Sequence, residues 1–100
     1  FCEREDGRMK LRRFPMPAGR RFVAVEDVVT TGGSVRETAE HMVAGGCVWA
    51  GSACIVDRSG GDAKCDVPFR SALKLSLPTY EPAECPLCKQ NMPIDRPGSK

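Results

Sequence analysis

The chain has 100 residues, enough for one domain with a modest core, because a domain of that size buries roughly two-thirds of the surface its unfolded form exposes. Its 41% hydrophobic and 28% charged residues exclude wholesale disorder and collagen-like repeats. No apolar run approaches the roughly 20 residues of a membrane helix, so no membrane partner is expected.

A net charge of +2 is too small to point to nucleic acid, but its distribution is uneven. Residues 1–21 hold seven basic against three acidic side chains, and the remainder eight against ten. A basic arm before a mildly acidic body suits either an anionic ligand or a solvated charged surface. The first residue is Phe1, charged residues follow at once, and no signal-peptide layout is present. The chain therefore reads as processed or as a piece of a longer one, and it is expected in the cytoplasm. Without a secretory signal, its six cysteines do not suggest a disulfide framework.

In chain order, Met9 and Leu11 alternate with Lys10 and Arg12 after an Asp6-Gly7 turn, the pattern of a short hairpin strand. Phe14 to Gly19 breaks regular structure with Pro15 and Pro17. Phe22 to Val25 is the clearest strand, an apolar run that reads as buried on both faces. It ends in Glu26-Asp27 and runs on through Val28 and Val29 to Thr30-Thr31-Gly32-Gly33.

Ser34 is expected to open a helix, with Glu37 at the capping-box spacing. Val35, Ala39, Met42 and Val43 make its apolar stripe, and Gly45-Gly46 its left-handed stop. His41, the only histidine, falls on this helix and reads as a surface residue. Cys47 to Val56 is the next strand, ending in the polar turn Asp57 to Gly61. Val67 to Leu75 is a third strand candidate, weakened by Pro68. From Leu77 the chain is too proline-punctuated for long elements.

Strand, loop, helix and strand make a βαβ unit with parallel strands. Ligands of open α/β sheets sit beyond the carboxyl ends of the strands. The clusters 26–34 and 57–61 fall at two such ends and should face one crevice. Thr30 to Ser34 has the parts of a phosphate cradle: glycines for close backbone approach, hydroxyl donors, and a helix N-terminus. Two acids directly beside it suit neutral ribose hydroxyls, or a magnesium ion shared with a diphosphate.

The run Val23 to Ser34, with Glu-Asp-Val-Val-Thr-Thr-Gly-Gly-Ser at its centre, resembles the phosphoribosyl-diphosphate (PRPP) signature of type I phosphoribosyltransferases, in its orotate-using form. Val56-Asp57-Arg58 with Gly60-Gly61 agrees. So does the tail, Cys85-Pro86-Leu87-Cys88-Lys89 through Pro97-Gly98-Ser99, which resembles that of bacterial orotate phosphoribosyltransferases. The likeness spans the chain but only the C-terminal half of the family's length, and an active-site lysine of the family lies outside it. It implies an α/β, Rossmann-like fold, a parallel sheet with flanking helices. A hood-loop arm would occupy 1–20, a βαβ core 21–76 and a proline-rich tail 77–100.

The resemblance implies that PRPP is bound by Glu26, Asp27, Val28, Val29, Thr30, Thr31, Gly32, Gly33 and Ser34, with the two acids on the ribose hydroxyls. Orotate would meet Thr30 and Arg58. Many relatives have Asp where Glu26 stands, and their hood loops carry several lysines and a histidine; here the cations are Arg4, Arg8 and Lys10. The implied reaction gives orotidine 5-monophosphate and diphosphate, in pyrimidine (UMP) biosynthesis. Magnesium would be carried by PRPP rather than by direct protein ligands, and the full-length form would be a homodimer. This chain alone is expected to be a poor catalyst. A nucleotide-sensing regulator without activity and a purine phosphoribosyltransferase are the competing readings. Cys85 and Cys88 have the spacing of half a zinc site, which Cys65 or His41 could complete, although the resemblance accounts for the motif without metal.

Overall fold

The computed structural model describes residues 1–61, 63, 65–95 and 97. It begins with an antiparallel hairpin, β1 (Cys2–Glu5) and β2 (Arg8–Leu11). The turn places Asp6 at φ 49° and Gly7 at φ 78°. Two consecutive left-handed residues match the twist of a two-residue hairpin, which the Asp-Gly pair supplies at low cost.

β3 (Arg21–Val29), α1 (Gly33–Ala44) and β4 (Val48–Asp57) form the βαβ unit, and β5 (Phe69–Lys74) completes a three-stranded sheet in the order β3-β4-β5. Both pairings are parallel. Pro68 lies just before β5, where its missing N–H costs no ladder bond. In the tail one turn of helix, α2 (Pro86–Lys89), is the only regular element among the described residues.

The strand signal at Phe22–Val25 extends further than expected. β3 continues through Glu26, Asp27 and Val28 to Val29, whose partner is Asp57, so both acids belong to the strand. A second correction concerns burial. α1 covers the face that carries Ala24 and Cys54, and these pack with Val29 and Val35 against Phe22, Trp49, Ala63 and Phe69. Alternation along the strands turns Val23 and Val25 away from that core. They are 56% and 75% exposed, as is Ile55 at 62%, and no described element covers them. The sheet is buried on one face only.

α1 also starts differently from the expected capping box. Gly32 is its N-cap, at φ 84°, and no side chain caps it. Ser34 lies inside the first turn, and Glu37 pairs with Arg4 at 2.7 Å instead of reaching back. The buried stripe is Val35, Ala39 and Met42, and Val43 is half-exposed. Gly46, at φ 93°, provides the left-handed stop.

The hairpin rests on α1. His41 is half-buried beneath it, and Nε2 accepts the Leu11 amide at 3.0 Å. The histidine read as a surface residue therefore anchors the arm. The radius of gyration, 16.3 Å, exceeds the ~13 Å of a compact domain of this length. Hairpin and tail project from a thin core.

Candidate functional site

The link from β3 to α1 makes a small cradle. Thr31 Oγ1 accepts the Gly33 amide at 3.3 Å, and the left-handed Gly32 turns the chain into the helix. Glu26 and residues 28–35 surround a space of about 40 Å³. The first-turn amides beyond Gly33, two threonines and a serine give it donors and partial positive charge for an anion.

The acids flank this cradle in different states. Asp27 is exposed, and its Oδ1 accepts the Val28 amide at 2.7 Å. Desolvation raises the Glu26 pKa above the ordinary carboxylate value, and the neighbouring Asp27 adds to the shift through a carboxyl–carboxyl hydrogen bond and repulsion. Two adjacent carboxylates near a strand end suit the water shell of a magnesium ion whose own ligands are phosphate oxygens and water. Among the described residues, no three His, Cys, Asp or Glu side chains converge on a point.

The end of β4 forms the opposite wall. Asp57 is buried, 6% exposed, and its Oδ1 accepts the Ser59 amide at 2.9 Å and the Ser59 hydroxyl at 2.6 Å. The Ser59 hydroxyl in turn accepts the Gly61 amide at 3.2 Å. These bonds hold the Asp57 carboxyl below its usual pKa, Ser59 contributing most and Lys74 also favouring the anion. They also fix the turn that presents Arg58. The Arg58 amide donates to the Val29 carbonyl at 2.9 Å, which ties this turn to the end of β3.

Thr30, Thr31, Arg58, Ser59 and Gly60 line one crevice of about 780 Å³, within the range of small-molecule sites, about 300–1,000 Å³. Its third wall, Ser76, Leu77 and Thr79, was not foreseen from the sequence. Ser76 bridges Ser59, and the Leu75 amide donates to the Asp57 carbonyl at 2.7 Å. The signal was available, because a third parallel strand must end at the same edge as the first two.

Arg4, Arg8 and Lys10 are not brought to this crevice or to the cradle. Arg4 pairs with Glu37 and also donates to the Gly7 carbonyl at 2.9 Å. Lys10 pairs with Glu5 at 3.2 Å. Arg8 lies in a shallow surface hollow beside Glu37 and Glu40. Of the tail motif, Cys85 to Lys89 forms the start and body of α2, while Gly98 and Ser99 fall outside the described residues.

A phosphoribosyl transferase domain model matches residues 3–81. The orotate phosphoribosyltransferase of Thermotoga maritima is 52% identical over all of this chain and 54% of its own length. Those of Caldanaerobacter subterraneus and Chlorobium phaeobacteroides are 52% and 46% identical, over 53% and 52% of theirs. The chain spans about half the length of the curated relatives it matches. With the cradle at the β3–α1 junction and a matching family model over most of its residues, the chain belongs to the phosphoribosyl transferase domain family.

Proposed function

We propose that this chain forms the PRPP- and orotate-facing half of an orotate phosphoribosyltransferase, which transfers a 5-phosphoribosyl group to orotate. The observation that carries this reading is the shared crevice, with Thr30 and Thr31 on one wall and Arg58 on the other. A phosphate held by residues 30–34 and a base held by Arg58 would bring the anomeric carbon between them.

In this reading Thr30 to Ser34 grip the 5-phosphate and Glu26 and Asp27 the ribose hydroxyls, whose O–H groups donate hydrogen bonds to the carboxylates. Arg58 pairs with the orotate carboxylate through two parallel charge-assisted bonds. The orotate ring nitrogen then attacks C1 as the bond to diphosphate breaks. The protein contributes alignment, charge complementarity and exclusion of water more than covalent chemistry. Magnesium carried by PRPP would supply positive charge beside the leaving diphosphate, and Glu26 and Asp27 would be the protein groups able to hold its water shell.

Arm 1–20, core 21–76 and tail 77–100 divide the labour in this reading. The active form is a cytoplasmic homodimer in which the arm, with Arg4, Arg8 and Lys10, reaches the partner subunit's crevice. The names of the relatives support the substrate pair, and the basic arm supports a role beside anions.

Calorimetric titration of the chain with PRPP, with and without magnesium, tests the binding half of this reading. Magnesium-dependent binding is expected, and no binding at millimolar PRPP in either condition would refute it. Turnover is tested in a chimera in which this chain replaces the matching half of the Thermotoga maritima enzyme. Use of orotate in preference to adenine or hypoxanthine is expected.

A further inference from the structure

Cys85 and Cys88 are not used by the site above, and their placement differs from that of the other thiols. Cys47 and Cys54 are buried. Burial, together with the Asp57 charge, raises the Cys54 thiol pKa, and the Cys47 thiol donates to the Pro17 carbonyl at 3.3 Å. Cys2 and Cys65 are half-buried, one in the hairpin and one before β5. Cys85 is half-buried and Cys88 exposed, and the two share a single turn of helix.

That turn fixes their relation. Cys85 is the N-cap of α2, at φ −69° and ψ 122°, Pro86 is the first helical residue and Cys88 the third. N-cap and third helical position are the pair whose side chains face one another in a capping box. The Lys89 amide donates to the Cys85 carbonyl at 3.0 Å and closes the turn. At its far end Asn91, at φ 56°, takes the left-handed position, while the Met92 amide returns to the Leu87 carbonyl at 3.1 Å. Proline at the start and this stop at the end hold both sulfurs on one side of a short, pre-formed element.

We propose that Cys85 and Cys88 form a redox-active dithiol, which a low-molecular-weight disulfide converts to an intramolecular disulfide. Cys85 is the attacking sulfur. Its thiolate forms a bond to one sulfur of the external disulfide, whose S–S bond breaks to release a thiolate. The Cys88 thiol gives its proton to solvent or to that thiolate, and its sulfur attacks Cys85. The mixed disulfide then breaks and the second external thiolate leaves. The protein loses two protons and two electrons, and the external disulfide takes them up to give two thiols.

The order of attack follows from the turn. The Cys88 amide, the Cys88 thiol and the Leu87 amide together hold the Cys85 thiol below its ordinary pKa, although none caps the helix with a full hydrogen bond. The same contact raises the Cys88 thiol, which resists losing its proton beside a Cys85 thiolate. Thiolates attack and thiols do not, so Cys85 leads and Cys88 resolves.

The test treats the 100-residue chain with oxidised glutathione and maps each cysteine by mass spectrometry. The expected product has lost two hydrogens within the peptide that carries residues 85–88. Cys88→Ser should stop at a glutathione adduct on Cys85, and Cys85→Ser should react about tenfold more slowly at this motif. Retention of both thiols at equilibrium with the glutathione couple would overturn the proposal. So would an adduct that forms first on Cys88, or a disulfide that joins either residue to Cys2 or Cys65. The same oxidation is repeated with zinc ions added. Full protection at one zinc per pair or per two pairs would identify the motif as a metal ligand set and overturn the redox assignment.

Discussion

His41 Nε2 accepts the backbone amide of Leu11 at 3.0 Å, so a helix residue anchors the hairpin thirty positions before it. Acting as acceptor at Nε2 requires a neutral ring with its proton on Nδ1. The Arg4–Glu37 pair, at 2.7 Å, is the second tie between hairpin and helix, but it is solvent-exposed and contributes at most about 1 kcal/mol. His41→Ala should therefore release the hairpin while leaving α1 folded. Hydrogen exchange at the Leu11 amide should quicken at least about tenfold, the equivalent of roughly 1.4 kcal/mol, with α1 amides unchanged. His41→Gln, which retains an acceptor, should restore part of the protection. Unchanged exchange at Leu11 in the alanine variant would show that packing alone holds the arm.

Glu26 illustrates a conflict between stability and binding. Its pKa is raised in the folded chain, so the folded state holds the Glu26 proton more tightly than the unfolded state. This contribution favours folding at pH values below the unfolded pKa and is lost as pH rises through the folded value. At neutral pH the ionised Glu26 thus opposes folding. Glu26→Gln should stabilise the chain at pH 7 and by less at pH 4, read by urea denaturation. In the proposed role the same change should weaken PRPP binding, because an amide cannot replace a carboxylate accepting two ribose hydroxyls. A variant that is both less stable at pH 7 and unaltered in PRPP titration would contradict the site and its electrostatics together.

Asp57 behaves in the opposite sense. Its pKa is lowered mainly by the Ser59 hydroxyl and amide, so its contribution to stability is complete above the unfolded pKa and fades as pH falls through the folded one. Ser59→Ala removes the 2.6 Å hydroxyl bond but leaves the 2.9 Å amide bond. The expected loss is about 1 kcal/mol at pH 7 and smaller at pH 3, toward the acid range in which protonation weakens the bond. Equal losses at the two pH values would mean that Ser59 acts by shape alone.

The βαβ order, the hairpin turn and the loop 30–34 were legible because each rests on local chemistry. Alternation marks strands, Asp-Gly marks the turn, and consecutive glycines after a strand mark close backbone approach. The start of α1 was not legible in the same way. Ser34 and Glu37 have the spacing of a capping box, but left-handed Gly32 begins the helix earlier, and the exposed Arg4 offered Glu37 a partner thirty-three positions away. The exposure of Val23 and Val25 was also hidden. An apolar run reports that both faces suit burial, whereas what covers each face depends on elements that the run does not contain. His41 was misread for the same reason, since its partner is a backbone amide set by hairpin docking.

Arg58 provides the sharpest test of substrate choice. It stands directly after β4, on the wall opposite Thr30 and Thr31, and its side of the crevice is held by the Asp57–Ser59 bonds. The adjacent Asp57 is satisfied by Ser59, and among the described residues Arg58 makes no ion pair. An exposed guanidinium lining a crevice is available for a carboxylate, and its planar fork fits one in two parallel bonds. In the Thermotoga maritima chimera, Arg58→Ala should raise the orotate KM or lower kcat so that kcat/KM falls roughly 10–100-fold, about 1.4–2.8 kcal/mol. The PRPP KM should change much less, because Thr30 to Ser34 are untouched. Arg58→Lys keeps the charge without the fork, so it should recover only part of the loss. A rise in PRPP KM with orotate kinetics unchanged would place Arg58 on the diphosphate side of the crevice instead.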